Sequence, residues 1–198
     1  METQLENNKY TVFENLLSTK ALSILEKYAQ LLPNDKNTTD TWTDMHRLYP
    51  DLPNAYTCDV LGKDRLEILN ELYNNETLPC YKKTWLRDAD IAIHKMPHNT
   101  VVPKHTDYCM FSITLFLSKD KSFTGGEFIW WDDNDNVHVV EPAYNKAIIA
   151  CYDTFKRGAS HEVPPIKDGI RYTMQLFVFE KRSETDEDRY AHWEVEKK

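Results

Sequence analysis

The chain has 198 residues, of which 41% are hydrophobic and 28% charged, as is typical of one soluble globular domain with or without a helical extension. The formal net charge is −8 and the basic residues are scattered, which argues against a nucleic-acid partner because such binding needs clustered positive charge. There is no apolar run of membrane-spanning length and no secretory signal at the polar N-terminus, so we expect a cytoplasmic protein with no membrane partner.

The first part of the chain, residues 1–83, is predicted to be a helical support region. Apolar residues recur at helical spacing over residues 11–32, and Pro33 ends that pattern. Residues 40–60 contain two prolines and are expected to be irregular. The helical pattern then returns over residues 63–74.

From residue 84 the pattern changes to short stretches rich in β-branched and aromatic residues, separated by turn residues. This alternation predicts a β-sandwich or jelly roll over residues 84–180, so that the fold class is α+β. The segments predicted to be strands are ADIAIHKM, MFSITLFLS, GEFIWW, NVHVVE, KAIIACY and RYTMQLFVFE. The charged tail, residues 181–198, is expected to be a solvated helix or a frayed end, with Trp193 able to pin it to the body.

His105 and Asp107 form an HxD pair within the segment PKHTDY. On a strand, side chains at i and i+2 point to the same face, so one imidazole and one carboxylate can approach a single metal ion. An HxD pair also occurs by chance, and the alternative is a solvated or hydrogen-bonded pair without a metal.

His161 follows His105 by 56 residues and lies in GASHEVPPIKDGIRY. A β-sandwich can bring these two histidines together, and with Asp107 they would occupy one face of an octahedron. Two histidines and one carboxylate suit non-haem Fe(II) and leave coordination positions open. The triad alone is also compatible with zinc.

Arg171 opens the apolar strand RYTMQLFVFE. A charge that enters such a strand needs a buried partner, and a guanidinium is suited to binding a carboxylate through two parallel hydrogen bonds. Thr173 lies two residues further on the same face and can donate another hydrogen bond. A metal triad together with this carboxylate clamp predicts a dicarboxylate ligand that also chelates the metal.

Three segments together, in this order, resemble the prolyl-4-hydroxylase-like branch of the Fe(II)- and 2-oxoglutarate-dependent dioxygenases. They are HTD, TGGEF (124–128) and HEVPPIKDGIRY (161–172), and the resemblance covers about residues 91–180. Arginine followed by tyrosine, at 171–172, also resembles the lysyl hydroxylase relatives.

The resemblance implies a double-stranded β-helix (jelly-roll) core with supporting N-terminal helices. It makes His105, Asp107 and His161 the catalytic iron ligands, and Arg171 the residue that binds the distal carboxylate of 2-oxoglutarate. It further implies O2 and ascorbate as cofactors and a reaction that converts 2-oxoglutarate to succinate and carbon dioxide while a C–H bond is hydroxylated. Because Asp107 is retained, hydroxylation is expected rather than halogenation.

The substrate expected from the resemblance is a prolyl residue in a peptide or protein. A lysyl or free amino-acid hydroxylase is the alternative within the same superfamily. A non-catalytic jelly-roll module, with the triad structural or holding zinc, is the alternative from another class, and Arg171 argues against it.

One position departs from the family pattern. Relatives often carry a tyrosine that contacts 2-oxoglutarate on the strand before the HxD pair, but that stretch reads IAIHKMPHN here. His94 and Lys95 fall nearby, and Ser112 and Thr114 on the following strand are the candidates for the missing hydrogen bond.

Other features are expected to be structural. The segment DDNDN (132–136) has a calcium-like alternation of oxygen ligands, but it lacks the glycine and glutamate of an EF-hand and is better explained as a hairpin tip. Of Trp130 and Trp131, one is expected in the core. The four cysteines show no CxxC spacing and are predicted to be reduced. The remaining histidines are expected to be ordinary surface or structural residues: His46, His94, His98, His138 and His192.

Overall fold

The helix α1 (Thr19–Leu31) and the short strand β1 (Thr11–Phe13) replace the single helix that was predicted over 11–32. The computed structural model describes residues 10–32, 43–44, 55–78, 86, 89–119, 122–157, 159–178 and 194–195. Helix α1 begins after Ser18. The Ser18 hydroxyl accepts a hydrogen bond from the Ala21 amide and so caps the helix. The prediction was wrong at its start because residues 11–13 pair with β10 as a strand, and Leu16 and Leu17 are buried in the segment that connects this strand to the helix.

The second predicted helix is confirmed as α2 (Gly62–Asn74), whose buried face carries Ile68, Leu69 and Leu72. This face and that of α1 belong to one large apolar cluster with one side of the main sheet. Neither helix, in the part of the chain that is described, is long and apolar enough to cross a membrane.

The main sheet has eight strands, seven of them in the order β1-β10-β6-β12-β4-β3-β2, and β7 pairs with β12. All of its pairings are antiparallel. Its remaining strands are β2 (Thr43–Asp44), β3 (Tyr56–Asp59), β4 (Asp90–Pro97), β6 (Tyr108–Phe116), β7 (Phe123–Gly125), β10 (Ala147–Arg157) and β12 (Ile166–Val178). The expectation that 40–60 is irregular was therefore wrong for β2 and β3, which extend the sheet beyond β4; residues 45–54 lie outside the described part.

The second sheet has five strands in the order β13-β5-β11-β8-β9. They are β5 (Val102–Thr106), β8 (Phe128–Trp131), β9 (Val137–Val140), β11 (His161–Val163) and β13 (Glu194–Val195). The hairpin predicted at 132–136 is confirmed, because β8 and β9 pair on either side of it. The tail had been expected to be helical or frayed, yet residues 194–195 form a strand that pairs with β5; Trp193 lies outside the described residues.

The two antiparallel sheets, with helices covering the main one, confirm the predicted α+β class and jelly-roll core. Alternation along the central strands separates two faces. On β12, Met174 and Leu176 are in the cluster with the helices. Arg171 and Thr173 alternate with them and belong to the opposite face, which is where the predicted clamp lies.

Candidate functional site

The two histidines of the predicted triad lie on adjacent strands of the five-stranded sheet. His105 on β5 is directly opposite His161 on β11 in the antiparallel register, and Asp107 follows immediately after β5. Their rings are 4.2 Å apart between centroids. The pairing of β11 with β5 therefore brings together two histidines that are 56 residues apart in the sequence.

The three side chains converge on one point. Asp107 Oδ1 is 3.6 Å from His105 Nε2, and Asp107 Oδ2 is 3.4 Å from His161 Nε2. One ligand atom from each residue lies within 4.8 Å of the others, so the group has the geometry to hold a metal ion. Both histidines are buried and Asp107 is partly so.

A backbone carbonyl group holds the Nδ1 atom of each histidine. His105 Nδ1 lies 2.8 Å from the Pro103 carbonyl, and His161 Nδ1 lies 3.0 Å from the Ala159 carbonyl. A carbonyl oxygen only accepts, so each Nδ1 must carry the proton, and each Nε2 lone pair is directed to Asp107. This is the tautomer that metal binding requires, held by backbone groups as in known metal sites.

The environment also keeps His161 neutral. Burial lowers its pKa to about 4, although the nearby Asp107 carboxylate acts in the opposite direction. The ring stacks on Phe128, with centroids 5.0 Å apart and planes 25° apart. At neutral pH the imidazole is thus uncharged and oriented, and it can act as a ligand without first losing a proton.

Arg171 is the largest fully buried side chain in the described residues, with 1% of its surface exposed. Its Nη1 donates to Met96 Sδ at 3.2 Å, and the guanidinium lies over the Phe116 ring at 5.1 Å. Within the described part of the chain, Nε and Nη2 have no hydrogen-bond partner. Burial lowers its pKa to about 10.

Buried polar groups surround this arginine. Thr173, with 0% exposure, has a hydroxyl that finds no partner among the described residues. It is in register with His94, which lies on the same face of β4 as Met96. Burial, and then the charge of Arg171, lowers the pKa of His94 to about 4. His94 is therefore a neutral imidazole beside the predicted clamp.

The other candidates for the missing hydrogen bond are placed differently. Lys95 is on the opposite face of β4 from His94. The Thr114 hydroxyl donates to Gln175 Oε1 at 2.8 Å, so that proton is already used. Ser112 is buried and hydrogen-bonds with Cys109.

The backbone conformation explains why the segment TGGEF contains two glycines. Gly125 and Gly126 have φ of +75° and +68°, which favour glycine strongly. A Cβ on Gly126 would overlap Ile166 Cδ1 and approach Arg171 Cδ to 3.0 Å. Two residues later, Phe128 stacks on His161. This segment thus contacts both the arginine and the triad.

The hairpin tip, the core tryptophan and the described cysteines have structural roles. Asp132 accepts hydrogen bonds from the Asn134 and Asn136 amides and pairs with His138, which explains the hairpin tip without calcium. Trp130 is the core tryptophan, and it stacks on His138. Cys58 and Cys109 are free and buried. His98 is exposed, and the predictions for His46 and His192 lie outside the described residues.

One contact was missed by the sequence predictions. The hydroxyl of Tyr10, just before β1, lies 3.1 Å from His161 Nδ1. The two residues are 151 positions apart, and neither spacing nor composition carries a signal for such a pair.

No family model matches the sequence, and no curated protein matches it. Solved structures do match. An oxidoreductase of the 2OG-Fe(II) oxygenase family from Burkholderia pseudomallei is 16% identical, with a TM-score of 0.57, over 85% of this chain and 83% of that one.

Two prolyl hydroxylases are similar in the same way. One, from Trichoplax adhaerens, was solved with a hypoxia inducible factor oxygen degradation domain peptide fragment; it is 14% identical, with a TM-score of 0.59, over 95% of this chain and 88% of that one. The viral collagen prolyl hydroxylase of Paramecium Bursaria Chlorella virus-1, solved as a 2OG complex, is 13% identical, with a TM-score of 0.52, over 86% and 96%. The chain therefore has the fold seen in 2-oxoglutarate-dependent oxygenases, the prolyl hydroxylases among them.

Proposed function

We propose that this chain is an Fe(II)- and 2-oxoglutarate-dependent dioxygenase that hydroxylates an unactivated C–H bond. The observation that carries the proposal is Arg171, a fully buried cation on the inner face of the jelly roll, two of whose nitrogens, Nε and Nη2, have no hydrogen-bond acceptor among the described residues. Such a group is costly to bury unless an anion completes it. A structural zinc site has no use for it.

His105, Asp107 and His161 are the proposed iron ligands. Two neutral imidazoles and one carboxylate on one side of a site are the ligand set of non-haem iron oxygenases. Carbonyl groups orient both imidazoles through Nδ1, so the ring nitrogens facing Asp107 need no rearrangement to bind. Iron(II), with 2-oxoglutarate and O2, supplies the oxidising chemistry when bound.

Arg171 is proposed to bind the distal carboxylate of 2-oxoglutarate. Nε and Nη2 are neighbouring donors of one planar group, which matches the two oxygens of a carboxylate. The Thr173 hydroxyl lies on the same face and has no partner among the residues that the structure describes, so it adds a third donor. Phe116 and Met96 line the guanidinium with apolar and weakly polar atoms, and this low-polarity surrounding strengthens the pairing.

For the substrate, we propose a prolyl residue within a peptide or protein. Support comes from two of the structural neighbours, a prolyl hydroxylase with a bound peptide fragment and a collagen prolyl hydroxylase. The net charge of −8 favours approach of neutral or basic peptides. Lysyl residues and free amino acids are the alternative substrates, because a fold supports reaction class better than substrate.

In this proposal residues 84–180 form the catalytic core, with residues 1–83 supporting it and residues 181–198 as a tail. The supporting role is consistent with the helices that cover the main sheet. Residues 1–83 also support the core by strand pairing, because β1 pairs with β10 and β3 pairs with β4.

The test is turnover with Fe(II), ascorbate and 2-oxoglutarate, offering proline-containing peptides, lysine-containing peptides and free amino acids in parallel. Succinate formation that requires Fe(II) is expected, together with a mass gain of one oxygen on a prolyl peptide. Hydroxylation confined to free amino acids would refute the peptide assignment. Absence of succinate under every condition, with zinc bound tightly, would instead support the non-catalytic module.

A further inference from the structure

We propose that Tyr10 is a positioning residue for the metal site, holding the imidazole of His161 so that Nε2 faces the metal. The inference rests on the proposed function, because it takes His161 as a metal ligand. Tyr10 lies outside the segment whose sequence motifs resemble the oxygenases, which begins at about residue 91.

The Tyr10 hydroxyl contacts the group that orients His161. Its oxygen is 3.1 Å from His161 Nδ1 and 3.5 Å from the Ala159 carbonyl oxygen. The same carbonyl lies 3.0 Å from His161 Nδ1. The hydroxyl, the imidazole N–H and the carbonyl therefore form a closed triangle behind the ring, on the side opposite to Asp107.

The donors and acceptors of this triangle decide the tautomer. The Ala159 carbonyl can only accept, whereas the tyrosine hydroxyl can donate and accept. With the proton on Nδ1, the imidazole donates to both oxygens and the hydroxyl donates to the carbonyl, so every group is satisfied. With the proton on Nε2, the carbonyl would lose its imidazole donor and the metal-facing nitrogen would be blocked.

The ring of Tyr10 adds a second constraint. It meets His161 edge-on, with centroids 5.8 Å apart, and packs in the same way against Phe128 at 5.1 Å. Phe128 in turn stacks on the imidazole. The imidazole is thus packed against two aromatic rings, one on its face and one at its edge, and its rotation about the Cβ–Cγ bond is restricted.

This contact joins the two sheets through the site. Tyr10 immediately precedes β1, which pairs with β10 at the edge of the main sheet, whereas His161 belongs to the five-stranded sheet. Docking of the N-terminal strand and orientation of a metal ligand are consequently coupled. By linkage, metal binding should in turn stabilise the docking of β1.

The experiment is a titration of the full chain with Co(II) alone, followed by visible absorption, for the wild type and Tyr10→Phe. The substitution keeps the ring and removes only the hydroxyl. Loss of a hydrogen-bonding partner of a metal ligand typically weakens metal binding by about 10- to 100-fold, so we expect the Co(II) dissociation constant to rise at least about tenfold. The ligand-field bands should change shape as well, because the imidazole is less well oriented.

Two controls separate positioning from general stability. Tyr144→Phe also removes a partly buried hydroxyl, which donates a hydrogen bond to Glu26 Oε1 at 2.8 Å and has no contact with the triad in the described residues. This variant should leave Co(II) binding unchanged. In a His161→Ala background, Tyr10→Phe should have no further effect on residual Co(II) affinity, because its target is absent.

The outcomes distinguish this inference from the proposed function. If the wild type binds Co(II) and Tyr10→Phe binds it equally well, the positioning role is overturned while the proposed function stands. If both tyrosine variants weaken binding to the same extent, the effect is one of stability and the inference is also overturned. If the wild type binds no metal, both proposals fail.

Discussion

Replacing Arg171 with methionine should stabilise the protein in the absence of co-substrate and abolish its response to 2-oxoglutarate. The reason is the burial of an incompletely paired charge. The pKa of Arg171 falls from an ordinary value of 12.5 to about 10 through burial alone. At about 1.4 kcal/mol for each pH unit, holding the charge in the folded protein costs about 3 kcal/mol.

Methionine has a similar length and no polar hydrogen, so it removes this cost together with the two nitrogens that have no acceptor in the described part of the chain. The variant loses the contact of the guanidinium with the Phe116 ring, which contributes about 1 kcal/mol. The net gain expected is about 2 kcal/mol, or an increase of about 4–8 °C in melting temperature for a chain of this size.

The assay is thermal unfolding in a chelator, repeated with Mn(II) and increasing 2-oxoglutarate. The wild type should melt at a lower temperature than Arg171→Met without ligand and rise with 2-oxoglutarate, while the variant stays constant. Arg65→Met is the matched control, because the Arg65 Nε donates to the Ala89 carbonyl at 2.8 Å and its removal should give no gain. An Arg171→Met protein that melts below the wild type without ligand would contradict the burial argument, and one that still responds to 2-oxoglutarate would remove Arg171 from the clamp.

Three other substitutions test neighbouring parts of the site. His161→Ala should abolish succinate formation and leave the far-ultraviolet circular dichroism unchanged, since it removes a proposed ligand rather than an element of the sheet; retained turnover would exclude His161 as a ligand. Gly126→Ala should raise the KM for 2-oxoglutarate, because the added Cβ displaces Arg171. It should also lower stability by at least about 1–2 kcal/mol, the cost of a left-handed backbone conformation in a residue with a Cβ. An unchanged KM would show that the glycine is needed for the turn alone. Because the pKa of His94 is lowered to about 4, this residue takes up a proton below about pH 6.5 in the unfolded chain but not in the folded chain. The free energy of unfolding should therefore fall by about 2 kcal/mol between pH 8 and pH 5. Urea unfolding of His94→Gln should lack that part of the loss.

The parts of this molecule that were predictable are those with a local cause. Alternation of apolar residues predicted β4, β6, β8, β9, β10 and β12, and helical spacing predicted α2. Arg171 was recognisable because a charged group that opens an apolar strand needs a buried partner, and the HxD pair became informative in combination with His161 and Arg171. The structure brings His105, Asp107 and His161 together as that pattern suggested, and their role as iron ligands stays a prediction.

The parts that were missed have non-local causes. β1 and β3 are short, and their strand conformation comes from pairing with β10 and β4 rather than from their own sequence. Tyr10 is a tyrosine without a motif, and only the closure of the fold brings it to His161. The sequence predicts an ordinary histidine at His94, because nothing local indicates that Arg171, which is distant in sequence, lies beside it.

If the proposed site holds iron, the order in which its residues are synthesised decides when the metal can bind. His105 and Asp107 leave the ribosome well before His161 and Arg171, and the contact between Tyr10 and His161 spans 151 residues. A partly made chain therefore offers only one histidine and one carboxylate of the proposed ligand set, too few to hold iron firmly. Contacts of such long range form late in folding, so metal loading must wait until β11 has paired with β5. Under the proposed function, the unfinished chain would therefore hold no redox-active iron before the interior that is to contain it has formed.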